Sequence, residues 1–503
     1  MQFRLLLLPA LGALILSCSD SSDPTEPGDP AGPIDPADQP AMSLVLGSSS
    51  VAVTPGQGAT LAVNITRTGG FTGAVALSLT DAPDGLTGSF SPSSIPAGAT
   101  SSTLTLSAAT TTALGTYSLT VGASGQAVEG KSAALAVTVE AAQAGSWSAL
   151  GEGVDGAVHA IVDDDDGNVY VAGSFARAGG ATVNNIAKWD GSSWSALGTG
   201  ITGLTGFTAV NALALDGDGN LYAGGRFNTA GGVEAWALAK WDGSSWSALE
   251  ESPLNAFSNG VQALAVDSDG NLYVGAHFVT GIGVPVRIEG IARWNGSAWS
   301  GVGNFYDEDH LGRVTQGISG TVRALVIDES DNVYIGGIIS RAGGEAFNGI
   351  VKWDGEGWSG LGQGVGGVGG WISSLALDGN GNLYAGGQFT VAGNVIADNV
   401  AVWNGTEWNV LGGGIQTSSL LQGVWALETD RQGRLYAGGS FTVAGGAPAS
   451  YLAVWDGTRW GPLDEDQVMG PAGVDALRVD GMDNLYVGGL FWGDYTYLAK
   501  WRW

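Results

Sequence analysis

Histidine and cysteine, the side chains most often used for metal, redox and nucleophilic chemistry, are scarce in this chain. Its 503 residues contain three His, namely His159, His277 and His310, and one Cys, Cys18. None of the His has a second His or Cys at ligand spacing, so the sequence predicts neither a zinc nor a copper centre. We expect no metal and no cofactor, and a single Cys excludes an intramolecular disulfide.

Carboxylates are the more abundant reactive groups. Short stretches rich in Asp and Gly occur at residues 163–168, 216–220 and 267–271. They superficially resemble calcium loops, which need alternate carboxylates and a Gly turn, but no bidentate Glu follows at the required distance. The same residue types suit tight hairpins for backbone reasons, and we expect structural turns there. Calcium binding at these hairpins stays open.

The charge balance argues against one class of partner. The formal net charge is −29 at pH 7, from 19 basic and 48 acidic residues. Such a field repels phosphate backbones and anionic membrane surfaces, so we expect no nucleic acid partner. We interpret the excess of acid as a source of solubility outside the cell.

A repeat of about 50 residues occupies the second part of the chain. Its most visible mark is a regularly spaced Trp, at Trp147, Trp194, Trp246, Trp299, Trp358, Trp408 and Trp460. Periods of this size are typical of propeller blades, each a sheet of four strands. The predicted fold class is all-β, with residues 145–503 as a seven-bladed β-propeller.

The ends of the repeat region predict how the ring closes. One full repeat has four strand segments, from inner to outer, at residues 210–216, 219–227, 237–241 and 245–249. The first repeat begins with a fourth-strand segment, residues 146–150, and the last repeat stops after a third strand. Pairing of residues 146–150 with the blade at residues 474–501 would remove the unpaired edges of an open sheet.

One position of the innermost strand, the residue after its first Val or Ile, differs in every repeat. It holds His159, Asn211, Gln262, Arg323, Ser373, Trp425 and Asp475. Because the innermost strand lines the central axis, we predict that these side chains ring the channel mouth. Two readings stay open, a ligand site and a ring that is merely wetted by channel water.

The connections on the same face vary most in length and content. Binding residues tend to lie on variable loops over a rigid scaffold. The candidates there are the aromatic residues Tyr306, Trp371, Trp492 and Tyr495. The Trp residues that recur in every repeat are instead expected to pack between blades.

Residues 42–141 alternate in the strand period, with turn signals between short runs such as residues 59–65 and 133–139. About seven such strands suggest a β-sandwich. Residues 115–121 resemble the late strand of bacterial immunoglobulin-like modules, with Tyr117 placed like a tyrosine corner. The resemblance implies an immunoglobulin-like β-sandwich that precedes the propeller. It covers the architecture only and implies no binding residues in this chain.

The N-terminus has the pattern of an export signal. Residues 1–18 contain Arg4, an apolar run and a Ser before Cys18, which is typical of a secretory signal peptide. Residues 15–18, ILSC, resemble the lipobox of bacterial lipoproteins, which implies cleavage before Cys18 and a diacylglycerol group on its sulfur. Residues 19–41 are rich in Pro and acid, so we expect a disordered linker. Ser19 after the Cys favours the outer membrane of a Gram-negative bacterium.

The repeats also carry a family resemblance. Gly-Gly-x-Phe, Ala-Gly-Gly and Trp-Asp-Gly-x-x-Trp recur across residues 147–503, and this order resembles kelch-like propellers. It is closer to the repeats of fungal cortical cell-polarity markers and of bacterial surface proteins. The spacing from the double Gly to Trp189 and its counterparts is longer than in kelch repeats. The resemblance implies the fold and leaves the ligand open.

These features predict a non-enzymatic binding or adhesion scaffold at the cell surface. It would recognise a protein or a glycan through the variable-loop face of the propeller. The alternative is a polysaccharide-active hydrolase or lyase with carboxylates at the propeller channel. We expect a monomer, exported and lipid-anchored, that contacts the membrane only through the lipid on Cys18.

Overall fold

The protein is all-β in the part that its computed structural model describes. That part comprises residues 39–55, 58–109, 111–139, 145–203, 208–250, 260–279, 286–303, 314–417, 422–463, 473–491 and 495–503. Strands are the only regular secondary structure in these ranges. None of the described segments forms a helix with the length and hydrophobicity that crossing a membrane requires. The chain divides between Ala142 and Gln143 into two compact units.

The first unit consists of two sheets. One contains, in spatial order, Ala41–Leu46, Gly58–Thr68, Ser101–Ala108 and Leu86–Ser91. The other contains Ser50–Val53, Lys131–Val139, Gly115–Gly125, Val75–Thr80 and Ser94–Ile95. All neighbouring strands are antiparallel except Ser50–Val53, which runs parallel to Lys131–Val139.

A shared apolar core joins these two sheets. Val63 and Leu104 from one sheet and Leu119 and Leu135 from the other are fully buried in it. Every second side chain of a strand enters this core because side chains alternate across a pleated strand. The Tyr117 hydroxyl donates a hydrogen bond of 2.9 Å to a carbonyl four residues earlier, as its resemblance to a tyrosine corner predicts.

The second unit is built from seven modules of four strands. We number the modules in chain order and give the strands of each from first to fourth. Module 1 contains Ala157–Asp163, Val169–Ser174, Ile186–Trp189 and Trp194–Ala196; module 2 contains Ala209–Leu215, Leu221–Arg226, Leu238–Trp241 and Trp246–Ala248; module 3 contains Val261–Val266, Leu272–Val279, Val286–Trp294 and Trp299–Gly301. Module 4 contains Val314–Ile327, Val333–Ala342, Ile350–Trp353 and Trp358–Ser359; module 5 contains Trp371–Leu377, Leu383–Gln388, Val400–Trp403 and Trp408–Val410. Module 6 contains Gly423–Thr429, Leu435–Ser440, Leu452–Trp455 and Trp460–Gly461; module 7 contains Val474–Val479, Leu485–Gly489, Leu498–Arg502 and Ser146–Ser148.

Neighbouring strands of a module pair in antiparallel fashion, from first to fourth. Modules 3 and 4 are joined into one larger sheet by a parallel ladder between Val286–Trp294 and Val314–Ile327. Short strands lie in the connections, at Arg177–Ala178, Ala181–Thr182, Ile201–Thr202, Thr229–Ala230, Val233–Glu234, Glu345–Ala346, Val365–Gly366, Val391–Ala392, Val395–Ile396, Ile415–Gln416, Val443–Ala444 and Ala447–Pro448.

Module 7 takes its fourth strand from the beginning of the second unit. Ser146–Ser148 pairs antiparallel with Leu498–Arg502, and Trp147 lies opposite Trp501. This ladder ends at Ser148, two residues before the predicted end of the strand segment. The two termini of the second unit therefore share one sheet.

The double Gly of the second strand is explained by close packing on both sides. A Cβ at Gly224 would lie 2.5 Å from a methyl group of Val261 in the next module. A Cβ at Gly225 would lie 2.2 Å from the carbonyl oxygen of Ala209 in its own module. The last module repeats the first contact, because a Cβ at Gly488 would lie 2.4 Å from a methyl group of Val158 in module 1. First strands of consecutive modules are in contact throughout, and those of modules 7 and 1 are in contact as well.

The recurring Trp residues pack as the repeat predicts. In each module a Trp of the third strand faces a Trp of the fourth, with ring centroids 5.0 to 5.6 Å apart. The indole of the fourth-strand Trp also reaches the preceding module. Trp246 Nε1, for example, donates to the carbonyl oxygen of Leu197 at 2.8 Å. The Trp residues thus connect modules at the outer side of the sheets.

A methyl group at Gly224 is expected to destabilise the second unit. Because the added Cβ meets Val261 at 2.5 Å, Gly224→Ala should lower the free energy of unfolding by about 1–3 kcal/mol, the usual cost of overpacking. Gly217→Ala is the matched control in the same module, since a Cβ there meets nothing within 4 Å. All 19 Trp lie at or after Trp147, so Trp fluorescence during thermal unfolding reports on the second unit. Equal midpoints for the two variants would contradict the packing argument.

Candidate functional site

The seven candidates of the channel mouth share one backbone feature. Each is the extra, unpaired residue of a β-bulge in the first strand, between the two residues where the register shifts. These bulge residues are His159, Asn211, Gln262, Arg323, Ser373, Trp425 and Asp475. A bulge frees a residue from the ladder and redirects its side chain. The frame therefore repeats, whereas the side chain that it presents changes from module to module.

Two bulge residues meet across the junction between modules 7 and 1. His159 Nδ1 lies 3.4 Å from Asp475 Oδ2, and the two side chains are 29% and 22% exposed. The other ring nitrogen of His159 lies 3.3 Å from the hydroxyl oxygen of Ser174. The imidazole is thus oriented by a carboxylate on one side and a hydroxyl on the other, while part of it stays open to solvent.

Other bulge residues also reach the next module. Asn211 Nδ2 donates to the carbonyl oxygen of Val261 at 3.1 Å. The guanidinium of Arg323 lies over the ring of Trp371, 5.6 Å from its centroid, which is a cation–π geometry. Burial lowers the pKa of Arg323 from its usual value. The structure thus brings one bulge residue together with one predicted loop-face aromatic residue.

Trp425 depends on a Gly in the following module. A Cβ at Gly473 would lie 2.4 Å from the six-membered ring of Trp425, so the indole packs directly on that backbone. Gly473 has a φ of 143°, which also favours Gly. Gln262 and Ser373 occupy the same bulge position and are partly exposed.

The remaining predicted residues do not enter this group. Tyr495 is half-buried, and its ring centroid lies 6.3 Å from that of Trp147, so its side chain packs within module 7. Tyr306 and Trp492 lie outside the described residues, as do Cys18 and the whole of residues 1–38.

A second charged cluster, which the sequence interpretation missed, lies toward the other end of the first strands. Asp163 and Arg478 form an ion pair between modules 1 and 7. They line a depression of about 640 Å³, together with Asp164, Asp430, Arg431 and Asp480 among others. Glu428 of module 6 interacts electrostatically with both members of the pair. The available signal was a break in the repeat, because the positions that correspond to Asp163, Glu428 and Arg478 in modules 2 to 5 hold Ala, Val, Leu or Ile.

The protonation of Glu428 is shifted by its surroundings. Burial raises the pKa of Glu428 to about 7, and the carboxylate of Asp163 acts in the same direction. The guanidinium of Arg478 and the backbone amide of Thr429 oppose this rise without cancelling it. A carboxyl group with such a pKa is neutral in mild acid and ionised above neutrality.

The Asp-rich hairpins use their carboxylates for the turn itself. Asp216 Oδ1 accepts from the backbone amides of Asp218 and Asn220, at 3.1 and 2.8 Å. Its Oδ2 accepts from the side-chain amide of Asn220 and from the Tyr222 hydroxyl, at 2.8 and 3.2 Å. Burial and the Asp216 charge raise the pKa of Tyr222, so its hydroxyl remains a donor. Within the described ranges, no three His, Cys, Asp or Glu residues are arranged to hold a metal ion.

Comparison with known proteins does not assign a family. No protein-family model and no curated protein matches the chain. Structures with some likeness include domains 4 and 5 of the S-layer protein SbsC, at 27% identity over 20% of this chain and 46% of that one, with a TM-score of 0.16. Domains 1–6 of the surface layer protein SbsC match at 18% identity over 43% and 26%, with a TM-score of 0.17. The class 5 fimbriae chaperone CfaA matches at 10% identity over 50% and 98%, with a TM-score of 0.16. The chain spans less than half the length of either SbsC structure, and TM-scores this low carry no argument about fold or function.

The raised pKa of Glu428 predicts a pH-dependent difference in stability. Because the folded state binds the proton of Glu428 more tightly than the unfolded state, this residue costs stability as pH rises from about 4.5 through about 7. Glu428→Gln removes that cost. Its thermal midpoint, followed by Trp fluorescence, should therefore gain on the unsubstituted protein between pH 4.5 and pH 7 and hold the gain above pH 7. Glu329→Gln, in an exposed turn, is the control and should show no such trend. A gain for Glu428→Gln that is the same at every pH would refute the shift.

Proposed function

We propose that residues 145–503 form a seven-bladed β-propeller whose ring is closed by Ser146–Ser148. The support is the sheet that Ser146–Ser148 shares with Leu498–Arg502, the contact between the first strands of modules 7 and 1, and the approach of Gly488 to Val158. In this proposal each module is one blade, the first strands surround the axis, and the bulge residues surround one mouth of the channel.

The proposal includes a place for the protein at the cell surface. The ILSC motif before Ser19 supports an exported lipoprotein that is held by lipid on Cys18. The Pro-rich residues 19–41 and an immunoglobulin-like sandwich at residues 42–141 then serve as spacers before the propeller. Outer-membrane location and a monomeric state are part of the same proposal.

The function that we propose is non-enzymatic recognition of a protein or glycan through the mouth formed by the bulge residues. One observation carries it. Seven equivalent bulges present seven different side chains on a frame that otherwise repeats, from His159 and Asp475 to Trp425. A purely structural ring would be served by one side chain used seven times, as the recurring Trp positions of the third and fourth strands are. Variation at the mouth over a rigid scaffold is the pattern of a binding surface.

The binding proposal predicts loss of ligand when the mouth is altered. The test is binding of the purified protein to two panels, one of surface glycans and one of extracellular protein domains. A triple variant with Asn211→Ala, Gln262→Ala and Trp425→Ala should lose binding to any ligand found. The control carries Asp218→Ala, Asp269→Ala and Glu329→Ala in exposed hairpin turns and should retain binding. Ligand binding that survives the mouth variant, or no ligand in either panel, would count against the proposal.

The cluster of Asp163, Glu428 and Arg478 favours a second candidate function, the cleavage of a polysaccharide by a hydrolase or a lyase reaction. The observation is Glu428, whose pKa of about 7 suits a general acid and which lies near the carboxylate of Asp163. In this case the protein should release new reducing ends or unsaturated ends from a polysaccharide. Glu428→Gln should abolish that release, and Glu329→Gln should leave it unchanged. Absence of products from every polysaccharide that the protein binds would remove this candidate.

A further inference from the structure

We infer that the mouth formed by the bulge residues takes a neutral glycan, with a sugar ring stacked on Trp425 or Trp371. This inference rests on the binding function proposed above and narrows it to one ligand class. It depends on where two Trp residues depart from the repeat, on what surrounds them, and on the charge of the mouth.

Trp371 and Trp425 are not the Trp residues that recur in the repeats. Trp425 is the aromatic member of the seven bulge residues. Trp371 lies two positions before a bulge, where the other modules hold small residues: Ala157, Ala209, Gly260, Thr321, Gly423 and Gly473. The two side chains come from adjacent modules, 5 and 6, and both are only partly buried. On one arc of the mouth, Trp371 therefore stands where the other modules hold small residues, and Trp425 stands where they hold polar or charged ones.

The neighbouring contacts hold these indoles in place. The Arg323 guanidinium lies over the Trp371 ring, and the six-membered ring of Trp425 packs against the backbone of Gly473. An aromatic ring that is fixed before binding loses little conformational entropy when a ligand stacks on it. The apolar face of a pyranose, which carries C–H groups, gains dispersion energy on such a surface.

Polar side chains complete the match to a sugar. The other arc of the mouth holds Asp475 and His159, 3.4 Å apart and partly exposed, followed by the amides of Asn211 and Gln262. Carboxylate, imidazole and amide groups provide both acceptors and donors for ring hydroxyl groups. An aromatic platform with a few polar groups beside it suits a small polar ligand, whereas a protein partner needs a much larger contact area.

The charge of the mouth favours a neutral sugar over an acidic one. Among the bulge residues, the positive charge of Arg323 is opposed by the negative charge of Asp475. The chain as a whole carries a formal net charge of −29. An acidic polysaccharide would approach against this field. A neutral oligosaccharide meets no such barrier.

The experiment uses the full-length protein and a panel of neutral oligosaccharides built from glucose, mannose, galactose, xylose and N-acetylglucosamine. Polygalacturonate and alginate serve as the acidic arm, and extracellular protein domains as a third arm. Binding is followed by calorimetry and by ligand-detected NMR. We expect a neutral oligosaccharide to bind, and Trp425→Ala or Trp371→Ala to weaken its affinity about tenfold. Trp425→Phe should retain most of the affinity, because it keeps an aromatic face.

Trp236→Ala is the matched control. Trp236 is also a partly buried Trp outside the recurring pairs, and its indole bonds to Glu234 in module 2 at 2.9 Å. Trp236→Ala should leave the affinity for the oligosaccharide unchanged. The thermal midpoint of each variant separates loss of stacking from loss of folding, and Trp425→Phe provides a folded comparison.

The outcomes separate the inference from the function on which it rests. Protein binding that the mouth variant abolishes, with no glycan bound, would overturn the glycan inference and leave the binding function standing. Acidic rather than neutral glycans as ligands would overturn the inference in the same way. A neutral glycan whose affinity is unaffected by Trp425→Ala and Trp371→Ala would overturn the stacking site. Silence in all three arms would overturn both proposals.

Discussion

The second unit depends on how closely the first strand of each module approaches the second strand of the module before it. Gly224 and its counterparts in modules 3 to 7 leave no space for a Cβ, because a branched side chain of the next module occupies that place. Module 1 holds Ala172 at this position. The same second strand accommodates the bulge of its own first strand through the adjacent Gly, as Gly225 does against Ala209. Two consecutive Gly thus satisfy two separate steric requirements. Hydrophobic clusters bridge modules across this contact, such as the one that contains Ile186 of module 1 and Val210 of module 2.

The junction between modules 7 and 1 lies where the two ends of the second unit meet, because the fourth strand of module 7, Ser146–Ser148, continues directly into module 1. There the first strands are linked by the contact of the His159 ring with the Asp475 carboxylate and by the ion pair of Asp163 with Arg478. At the junction between modules 2 and 3 the corresponding link is a neutral hydrogen bond from Asn211 to a backbone carbonyl. Directional contacts at both ends of the strand therefore supplement the Gly488 packing beside module 7, whose third and fourth strands are not consecutive in the chain.

Much of this arrangement could be predicted from the repeat alone. The spacing of Trp189 and Trp194, and of their counterparts, predicted the paired strands and their outer packing. The variable position of the first strand was also identified correctly as a single equivalent site. Its backbone conformation was not, because the bulge carries no Gly or Pro that would mark it in the sequence. The bulge arises instead because the first strand has one residue more than the second strand between the two stretches where they pair.

The Asp163, Glu428 and Arg478 cluster escaped for a different reason. Each of these residues is charged at a position where modules 2 to 5 hold an apolar residue. Their partners, however, lie up to 315 residues away in the sequence. Sequence comparison among repeats can show that a position is unusual, but it cannot show which other unusual position it meets. Tyr495 illustrates the reverse case. It was predicted on a loop face because its connection varies among the repeats, and its ring centroid lies 6.3 Å from that of Trp147, which comes from the opposite end of the second unit.

The bulges explain why the side chains at these seven positions can differ without disturbing the packing of the modules. A residue within the ladder contributes its side chain to the core or to the neighbouring strand, so substitution there disturbs packing. A bulge residue lies outside that alternation, and Ala160 or Ala212 resumes the buried pattern immediately after it. Exchange of His for Asn or Trp at this position therefore changes the side chain at the bulge while the glycine contacts and the Trp pairs stay the same. The packing of the modules and the variable side chains are carried by different residues of the same strand.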